Sequence, residues 1–149
     1  MRLTNYTDYS LRALMYLGLN RDRLVTIQEI ADVYGVPKNH LMKVVHQLGL
    51  AGLVETIRGR NGGLRLKKEP QEINLGKVVR NTEPDFKMVE CFDPTQNKCI
   101  LMPSCELHNV LRQATAAYFK VLDGVTLAHL LQNDKRLRKL THIQIHPQV

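Results

Sequence analysis

The sequence predicts a mainly α-helical fold with one small β-hairpin. In most of the 149-residue chain, apolar residues recur at intervals of three and four, which is the period of an amphipathic helix. Only two short runs, 53–57 and 64–66, have the composition of β-strands, and a glycine-rich turn separates them. With 44% hydrophobic and 23% charged residues, the chain can form a globular domain with its own core.

The first two helices are predicted from their apolar stripes and their caps. The first covers about residues 6–19, and either Thr4 or Thr7 can cap its start. The second begins at Thr26, which forms with Glu29 the T-x-x-E pattern of a capping box. Gly35 ends the second helix, because glycine readily adopts the positive φ of a sharp turn.

A third helix is expected over about residues 38–51, and with the second helix it forms a helix-turn-helix. Ala31 is small where the two helices cross, Gly35 permits the turn, and Leu41 packs the third helix onto the second. The outer sides of the third helix carry polar side chains that could contact base edges and phosphates: Lys38, Asn39, His40, Lys43 and Gln47. For any one of them alone, an ordinary solvated helix face is the alternative.

The predicted hairpin resembles the wing of a winged helix. Its turn, residues 58–63, combines Arg58 and Arg60 with three glycines, which suits contact with a phosphate or a narrow minor groove. Residues 1–80 hold 13 Lys and Arg against 7 Asp and Glu, whereas residues 81–149 hold 8 against 7. This charge distribution favours double-stranded DNA as a partner. Residues 1–80 are therefore predicted to be a winged helix-turn-helix DNA-binding domain.

The second half of the chain is predicted to be a loop followed by a long helix. Asn74 can cap a fourth helix over residues 75–81, after which residues 81–105 lose periodicity. A long helix over about residues 106–122 follows. Its apolar residues recur at spacings of four and three, as in a coiled-coil seam: Leu107, Leu111, Ala114, Tyr118 and Val121. This pattern predicts a homodimer.

The chain is expected to end in a short helix and a basic tail. Residues 106–132 are assigned to the dimerisation helix and a short helix after Thr126, and residues 133–149 to a basic, mobile tail. No apolar run is long enough to span a membrane, and the amino terminus lacks the apolar core of a secretory signal. We therefore expect a cytoplasmic protein that does not bind membranes.

Three cysteines lie close together in the predicted loop. Cys91, Cys99 and Cys105 form a C-x7-C-x5-C arrangement, which lacks the C-x2-C pairs usual in structural zinc sites. Spaced thiolates on a flexible loop can instead surround an iron–sulfur cluster. Three unrelated buried cysteines remain the alternative. No Ser-His-Asp arrangement, nucleotide-binding G-x-x-x-x-G-K or H-E-x-x-H motif is present, so an enzyme is not expected.

These features together resemble the Rrf2 family of bacterial regulators. The likeness includes residues 1–4, the helix-turn-helix, the wing at 58–64 and the cysteine loop followed by a long helix, and it extends to about residue 132. Within that family, residues 5–12 are most similar to the nitric-oxide-sensing repressors. Residues 89–91 match the sequence around the first cysteine ligand of those repressors.

The resemblance implies one iron–sulfur cluster per subunit. Cys91, Cys99 and Cys105 would be its ligands, and Asp8 of the partner subunit would be the fourth ligand of a four-iron, four-sulfur cluster. His108, three residues after Cys105, is the alternative fourth ligand and would suit a two-iron, two-sulfur cluster.

The implied function is that of a homodimeric repressor. It would bind operator DNA while its cluster is intact and release the DNA when nitric oxide attacks the cluster, so that nitric-oxide detoxification genes are expressed. Two alternatives remain open: a general iron–sulfur or iron-status regulator of the same family, and a cluster-free winged-helix regulator that senses thiol oxidation.

Overall fold

Residues 2–145, which a computed structural model describes, form seven α-helices and one two-stranded antiparallel sheet. The helices are α1 (Asn5–Leu19), α2 (Ile27–Tyr34), α3 (Lys38–Leu50), α4 (Leu75–Thr82), α5 (Glu106–Asp123), α6 (Leu127–Leu130) and α7 (Asp134–Ile145), and the strands are β1 (Val54–Ile57) and β2 (Gly63–Leu66). Short 3-10 turns lie at Pro70–Glu72, Glu90–Phe92 and Met102–Ser104. The predicted winged helix-turn-helix with a long helix after it is confirmed. Within this part of the chain, none of the helices has the length and apolar character needed to cross a membrane.

The starts of the first helices follow their predicted caps. Thr4, not Thr7, caps α1: its hydroxyl oxygen accepts a hydrogen bond from the Thr7 N–H at 3.2 Å. The Thr26 hydroxyl oxygen accepts from the Glu29 N–H at 3.1 Å. Gly35 ends α2 with φ 61° and ψ 34°, the left-handed conformation that permits the short turn into α3.

The core is formed where α1, α2, α3 and the hairpin meet. Its largest fully buried side chains include Tyr16, Leu17, Ile30, Leu41, Leu48 and Leu64. Helix α3 packs on both α1 and α2 through its apolar side. The opposite side of α3 is therefore held outward by a rigid core.

A backbone pairing that the sequence did not predict attaches the hairpin to the start of α2. Val25 and Leu64 exchange two backbone hydrogen bonds, at 3.0 Å and 2.7 Å. A single paired residue has no periodicity, so no sequence pattern indicates it. The wing is thereby fixed relative to the helix-turn-helix.

Helix α5 exposes an apolar stripe that shares Leu107, Ala114 and Val121 with the predicted seam but differs from it at the two other positions. Leu111 and Tyr118 of the predicted seam are half-buried against their own subunit. The outward stripe, spaced by three and four, consists of Leu107, Val110, Ala114, Ala117 and Val121, all exposed. Both sets satisfy a heptad pattern, so spacing alone could not select the correct one. No residue of α5 is fully buried.

The predicted tail contains a helix. Within the tail assigned to residues 133–149, whose mobility stays a prediction, Asp134–Ile145 form helix α7, which packs on α2 and α1. Asp134, Leu137, Arg138 and Thr141 are half-buried at helical spacing. Because only Leu137 in that set is apolar, the sequence pattern did not show an amphipathic helix. The last four residues of the predicted tail, 146–149, lie outside the described residues.

Candidate nucleic-acid interface and cysteine loop

Helix α3 exposes all five side chains that the sequence assigned to DNA contact. Lys38, Asn39, His40, Lys43 and Gln47 are exposed, and the buried residues of the same helix are Leu41, Val44, Val45 and Leu48. Among the other exposed residues of α3, Met42 and His46 lie on the same side of the helix as Asn39. They follow Asn39 by three and seven residues, so a helical projection of α3 could have found them.

A ring contact joins α3 to α1. The Tyr9 ring on α1 lies over the His40 ring on α3, with centroids 6.2 Å apart and planes 30° from parallel. Tyr9 is half-buried, and α1 packs along α3. A displacement of the start of α1 would therefore be transmitted to the helix that carries the candidate DNA contacts.

The wing carries its two arginines on a tight turn. Arg58 and Arg60 are exposed, and the Gly62 N–H donates to the Gly59 carbonyl at 3.0 Å. Gly59 has φ 112°, which favours glycine, and a Cβ on Gly62 would overlap the Ile57 carbonyl oxygen. The turn can thus project both guanidinium groups away from the domain, where a phosphate backbone could accept them.

The three cysteines are free thiols in different environments. Cys91 and Cys105 are half-buried, and Cys99 is exposed. The Cys91 Sγ lies 3.2 Å from the Nδ1 of His108, and the Phe92 ring packs edge-on against that imidazole with centroids 5.4 Å apart. The structure thus brings the alternative ligand His108 to Cys91. Within residues 2–145 it does not gather three or more His, Cys, Asp or Glu side chains at metal-binding distance.

Part of the cysteine loop is fixed by its own hydrogen bonds. The Lys87 Nζ lies 2.6 Å from Asp93 Oδ2, and the Thr95 N–H and hydroxyl donate to Asp93 Oδ1 at 2.9 Å and 2.6 Å. These hydrogen bonds stabilise the charged carboxylate and lower the pKa of Asp93 to about 2. The bond from Lys87 has the largest effect, and the two from Thr95 follow. Since Asp93 is two residues from Cys91, this network sets the position of the loop around the first thiol.

The residues around Cys91 are compatible with an iron–sulfur cluster. A cavity of about 650 Å³ lies beside Cys91 and His108, with Phe86, Phe92, Met102 and Phe119 among its apolar lining. Three free thiols on one loop and an imidazole beside the first of them are the donor types that iron–sulfur clusters use.

Asp8, the other candidate ligand, is held within its own helix. Its Oδ2 lies 2.8 Å from Arg12 Nη2, and its Oδ1 accepts from Arg12 Nε at 3.1 Å. The Asp8 side chain is 42% exposed, so its carboxylate remains open to a second molecule. Among residues 2–145 of one subunit, no contact connects Asp8 to the cysteines.

A contact between Glu83 and Thr4 joins the beginning of the cysteine loop to the start of α1. The Glu83 carboxylate, just after α4, accepts from the Thr4 N–H at 2.7 Å and from the Thr4 hydroxyl at 3.1 Å. Thr4 caps α1, and Glu83 stands where the loop begins. The sequence did not suggest this contact, because 79 residues separate its two partners.

Comparison with known proteins identifies the family. The family model described as "Iron-dependent Transcriptional regulator", Rrf2, matches residues 3–133. The chain belongs to the Rrf2 family. It is 56% identical to the HTH-type transcriptional regulator NsrR of Bacillus licheniformis over 94% of this chain and 99% of that protein. For the NsrR of Bacillus subtilis the identity is 53%, over 94% and 97%.

Solved structures show the same Rrf2 architecture. The IscR of T. potens matches with a TM-score of 0.72 at 25% identity, over 89% of this chain and 88% of that one. The oxidised CymR of Staphylococcus aureus matches with a TM-score of 0.70 at 24% identity, over 89% and 97%, and shows the fold. The chain is therefore a DNA-binding transcription regulator and not an enzyme, as the sequence predicted.

Proposed function

We propose that this Rrf2 protein is a cytoplasmic homodimeric repressor that binds operator DNA while it holds an iron–sulfur cluster and releases the DNA in response to nitric oxide. The observation that carries the proposal is the set of three free cysteines on one loop of a chain that is 56% identical to an NsrR regulator. The family description, which names iron dependence, supports the same conclusion.

Cys91, Cys99 and Cys105 would hold the cluster, one per subunit, with Asp8 of the partner subunit as the fourth ligand. The exposure of the Asp8 carboxylate supports this assignment. A bound four-iron, four-sulfur cluster would supply iron that nitric oxide can attack, and an oxygen ligand would leave one iron more open than a thiolate does. Arg12 would orient the carboxylate through its two hydrogen bonds.

His108 remains the alternative fourth ligand, in a two-iron, two-sulfur cluster. The 3.2 Å contact with Cys91 favours this candidate within one subunit. It would suit a general iron–sulfur or iron-status regulator, since ligation by His108 would leave Asp8 without a role at the metal.

Helix α1 connects the proposed site to the DNA. Asp8 lies in the first turn of α1, Tyr9 contacts His40 of α3, and Thr4 is bound by Glu83 at the start of the cysteine loop. When Asp8 and the loop lose their anchor, α1 and then α3 would shift. A 100-fold loss of DNA affinity requires the binding free energies of the protein with and without its intact cluster to differ by only about 2.7 kcal/mol.

Dimerisation would set the distance between the winged helix-turn-helix domains of the two subunits. The exposed apolar stripe of α5 supports pairing of the long helices from two subunits. The two α3 helices would then bind half-sites about 34 Å apart, one turn of DNA.

Anaerobic purification tests the proposal. We expect a coloured protein that contains iron and sulfide, binds a duplex selected from a random pool, and loses at least about 100-fold in affinity after addition of nitric oxide. Loss of binding with oxygen or iron chelation, but not with nitric oxide, would favour the iron-status regulator. A colourless protein that contains no iron and still binds the selected duplex tightly would favour the cluster-free, thiol-sensing regulator. It would contradict the proposal that DNA binding depends on an iron–sulfur cluster.

Single substitutions identify the fourth ligand. If Asp8 is the ligand, Asp8→Ala changes the absorption spectrum and lowers the iron content, whereas His108→Ala leaves both unchanged. The reverse result assigns His108. The spectra and the iron and sulfide contents are measured on protein prepared without oxygen, so that the readout does not depend on DNA binding.

A further inference from the structure

The DNA-facing side of α3 contains one large apolar side chain that packing within the subunit does not explain. Met42 is 51% exposed. It lies between buried Leu41 and exposed Lys43, yet it belongs neither to the hydrophobic core of the described residues nor to the apolar side chains packed against that core. It is also distant in the sequence from the apolar stripe of α5, which is the candidate dimer face.

The surroundings of Met42 are polar and cationic. On the helix, Lys38 and Asn39 precede it by four and three residues, and His46 follows it by four; all three are exposed. Side chains at these spacings lie on the same side of a helix. Met42 is thus within the set of side chains that would enter the major groove if α3 binds there, as the proposed function requires.

The major groove offers a specific apolar partner. Its base edges carry hydrogen-bond donors and acceptors, and the C5-methyl group of thymine is the apolar feature that distinguishes one base pair from the others. The Met42 side chain can neither donate a hydrogen bond nor bear charge, but it is long, flexible and polarisable. We infer that Met42 is a specificity-determining residue that contacts a thymine methyl group in each operator half-site.

This inference rests on the proposed function and adds to it which base feature the exposed side of α3 recognises. Lys38 and Lys43 would supply contacts to acceptors or phosphates, whereas Met42 would select thymine over cytosine and over uracil. Removing one buried methyl group changes affinity by about fourfold, and by about 15-fold when both half-sites lose it.

Uracil substitution in the DNA tests the methyl contact directly. The full-length protein with its cluster first selects a preferred duplex from a random pool, and each thymine of that duplex is then replaced by uracil, which removes only the C5-methyl group. We expect one thymine per half-site to show an affinity loss of about fourfold on replacement. No loss at any thymine would overturn the inference.

Variants of Met42 assign the contact to this residue. Met42→Ala should bind the thymine duplex about fourfold more weakly per half-site and should show no further loss with uracil at the sensitive position. Met42→Leu, which stays apolar, should still discriminate thymine from uracil. Since Met42 is exposed, these variants should fold, which circular dichroism and the cluster spectrum can verify. If Met42→Ala keeps the wild-type ratio of thymine to uracil affinity, the inference is wrong.

The matched control is Leu50→Ala. Leu50 is another large apolar residue of α3, 70% exposed, but it is the last residue of the helix. Leu50→Ala should leave the ratio of thymine to uracil affinity unchanged. Loss of discrimination in both variants would contradict a specific role for Met42. If the wild-type protein enriches no sequence from the pool, the proposed DNA-binding function fails; enrichment without methyl sensitivity overturns only the role of Met42.

Discussion

At the scale of single residues, Glu29 is the most connected charge in the helix-turn-helix. Its Oε1 accepts from the Tyr16 hydroxyl at 2.6 Å, and its Oε2 accepts from Arg23 Nη1 at 3.0 Å. The hydrogen bond from Arg23, followed by that from Tyr16, lowers the pKa of Glu29 below its usual 4.5. The sequence predicted Glu29 as part of a capping box. The structure shows the Thr26 half of that box, whereas the Glu29 carboxylate bonds to Arg23 and to Tyr16 of α1 and so ties α2 to α1.

Replacement of Glu29 should give a pH-dependent loss of stability. Glu29→Gln should lower the free energy of unfolding by about 1–2 kcal/mol at neutral pH, because it removes the charge that Arg23 and Tyr16 bind. Since folding lowers the pKa of Glu29, this contribution is present above pH 4.5 and is lost as the pH falls through the lower value of the folded protein. Urea unfolding at a series of pH values measures the difference.

Glu55→Gln is the control for this prediction. Glu55 pairs with Arg65 across the hairpin at 2.8 Å, and both side chains are at least 40% exposed. An exposed pair of this kind contributes little, so the same chemical change should cost less than about 1 kcal/mol. Equal effects of the two substitutions at neutral pH would contradict the role assigned to Glu29.

At the scale of elements, the α4–α5 junction connects the DNA-binding half to the long helix. Arg80 Nη2 donates to Asp123 Oδ2 at 2.8 Å, and the guanidinium carbon lies 4.1 Å from the centroid of the Phe119 ring. Gly76, one turn before Arg80, leaves room for the Asp123 carboxylate. The junction therefore depends on the absence of a side chain at position 76.

Gly76→Ala should destabilise this junction. A Cβ at Gly76 would overlap Asp123 Oδ1 and come within 2.9 Å of Arg80 Nη1, so the ion pair must shift. Both charged side chains are exposed and flexible, so we expect a loss of at most about 1 kcal/mol, measured by thermal or urea unfolding. Gly124→Ala is the matched control, because its Cβ would meet the Val121 carbonyl oxygen at an ordinary 3.5 Å. Stability that is unchanged in Gly76→Ala would show that the ion pair is not needed there.

For the molecule as a whole, the stripe of α5 is an apolar surface that the described part of the chain leaves exposed. Leu107 is 63% exposed, Val110 51% and Val121 68%, and the alanines between them permit close approach of a second helix. Contiguous exposed apolar surface of this kind marks an interaction site. A second copy of the chain suits it, since a heptad stripe packs against its own symmetry mate.

Ala117→Glu should therefore prevent dimerisation. The substitution would place two carboxylates in an apolar interface, and the dissociation constant of the dimer should rise at least about 100-fold. Analytical ultracentrifugation measures this change. Asn109→Glu is the control, since it adds the same charge at an exposed position of α5 outside the stripe, and it should leave the dimer intact. A monomeric wild-type protein, or a dimer that tolerates Ala117→Glu, would exclude the stripe as the interface.

The features that depend on local interactions could be predicted without the structure. The Thr26 cap, the left-handed Gly35, the wing turn around Gly59 and the Asn74 cap of α4 follow from side chains within a few residues of the backbone groups that they satisfy. The same locality explains why the outward polar residues of α3 could be identified from the sequence.

Tertiary structure alone decided the features that depend on residues distant in the chain. Two heptad registers fit α5, and only the packed chain shows that Leu111 and Tyr118 are half-buried while Val110 and Ala117 are exposed. The contact of His108 with Cys91 joins residues 17 positions apart, and α7 forms where α2 supplies a surface for its weakly apolar side. Such contacts depend on how the complete chain packs, because local periodicity specifies which residues share a face but not what that face meets.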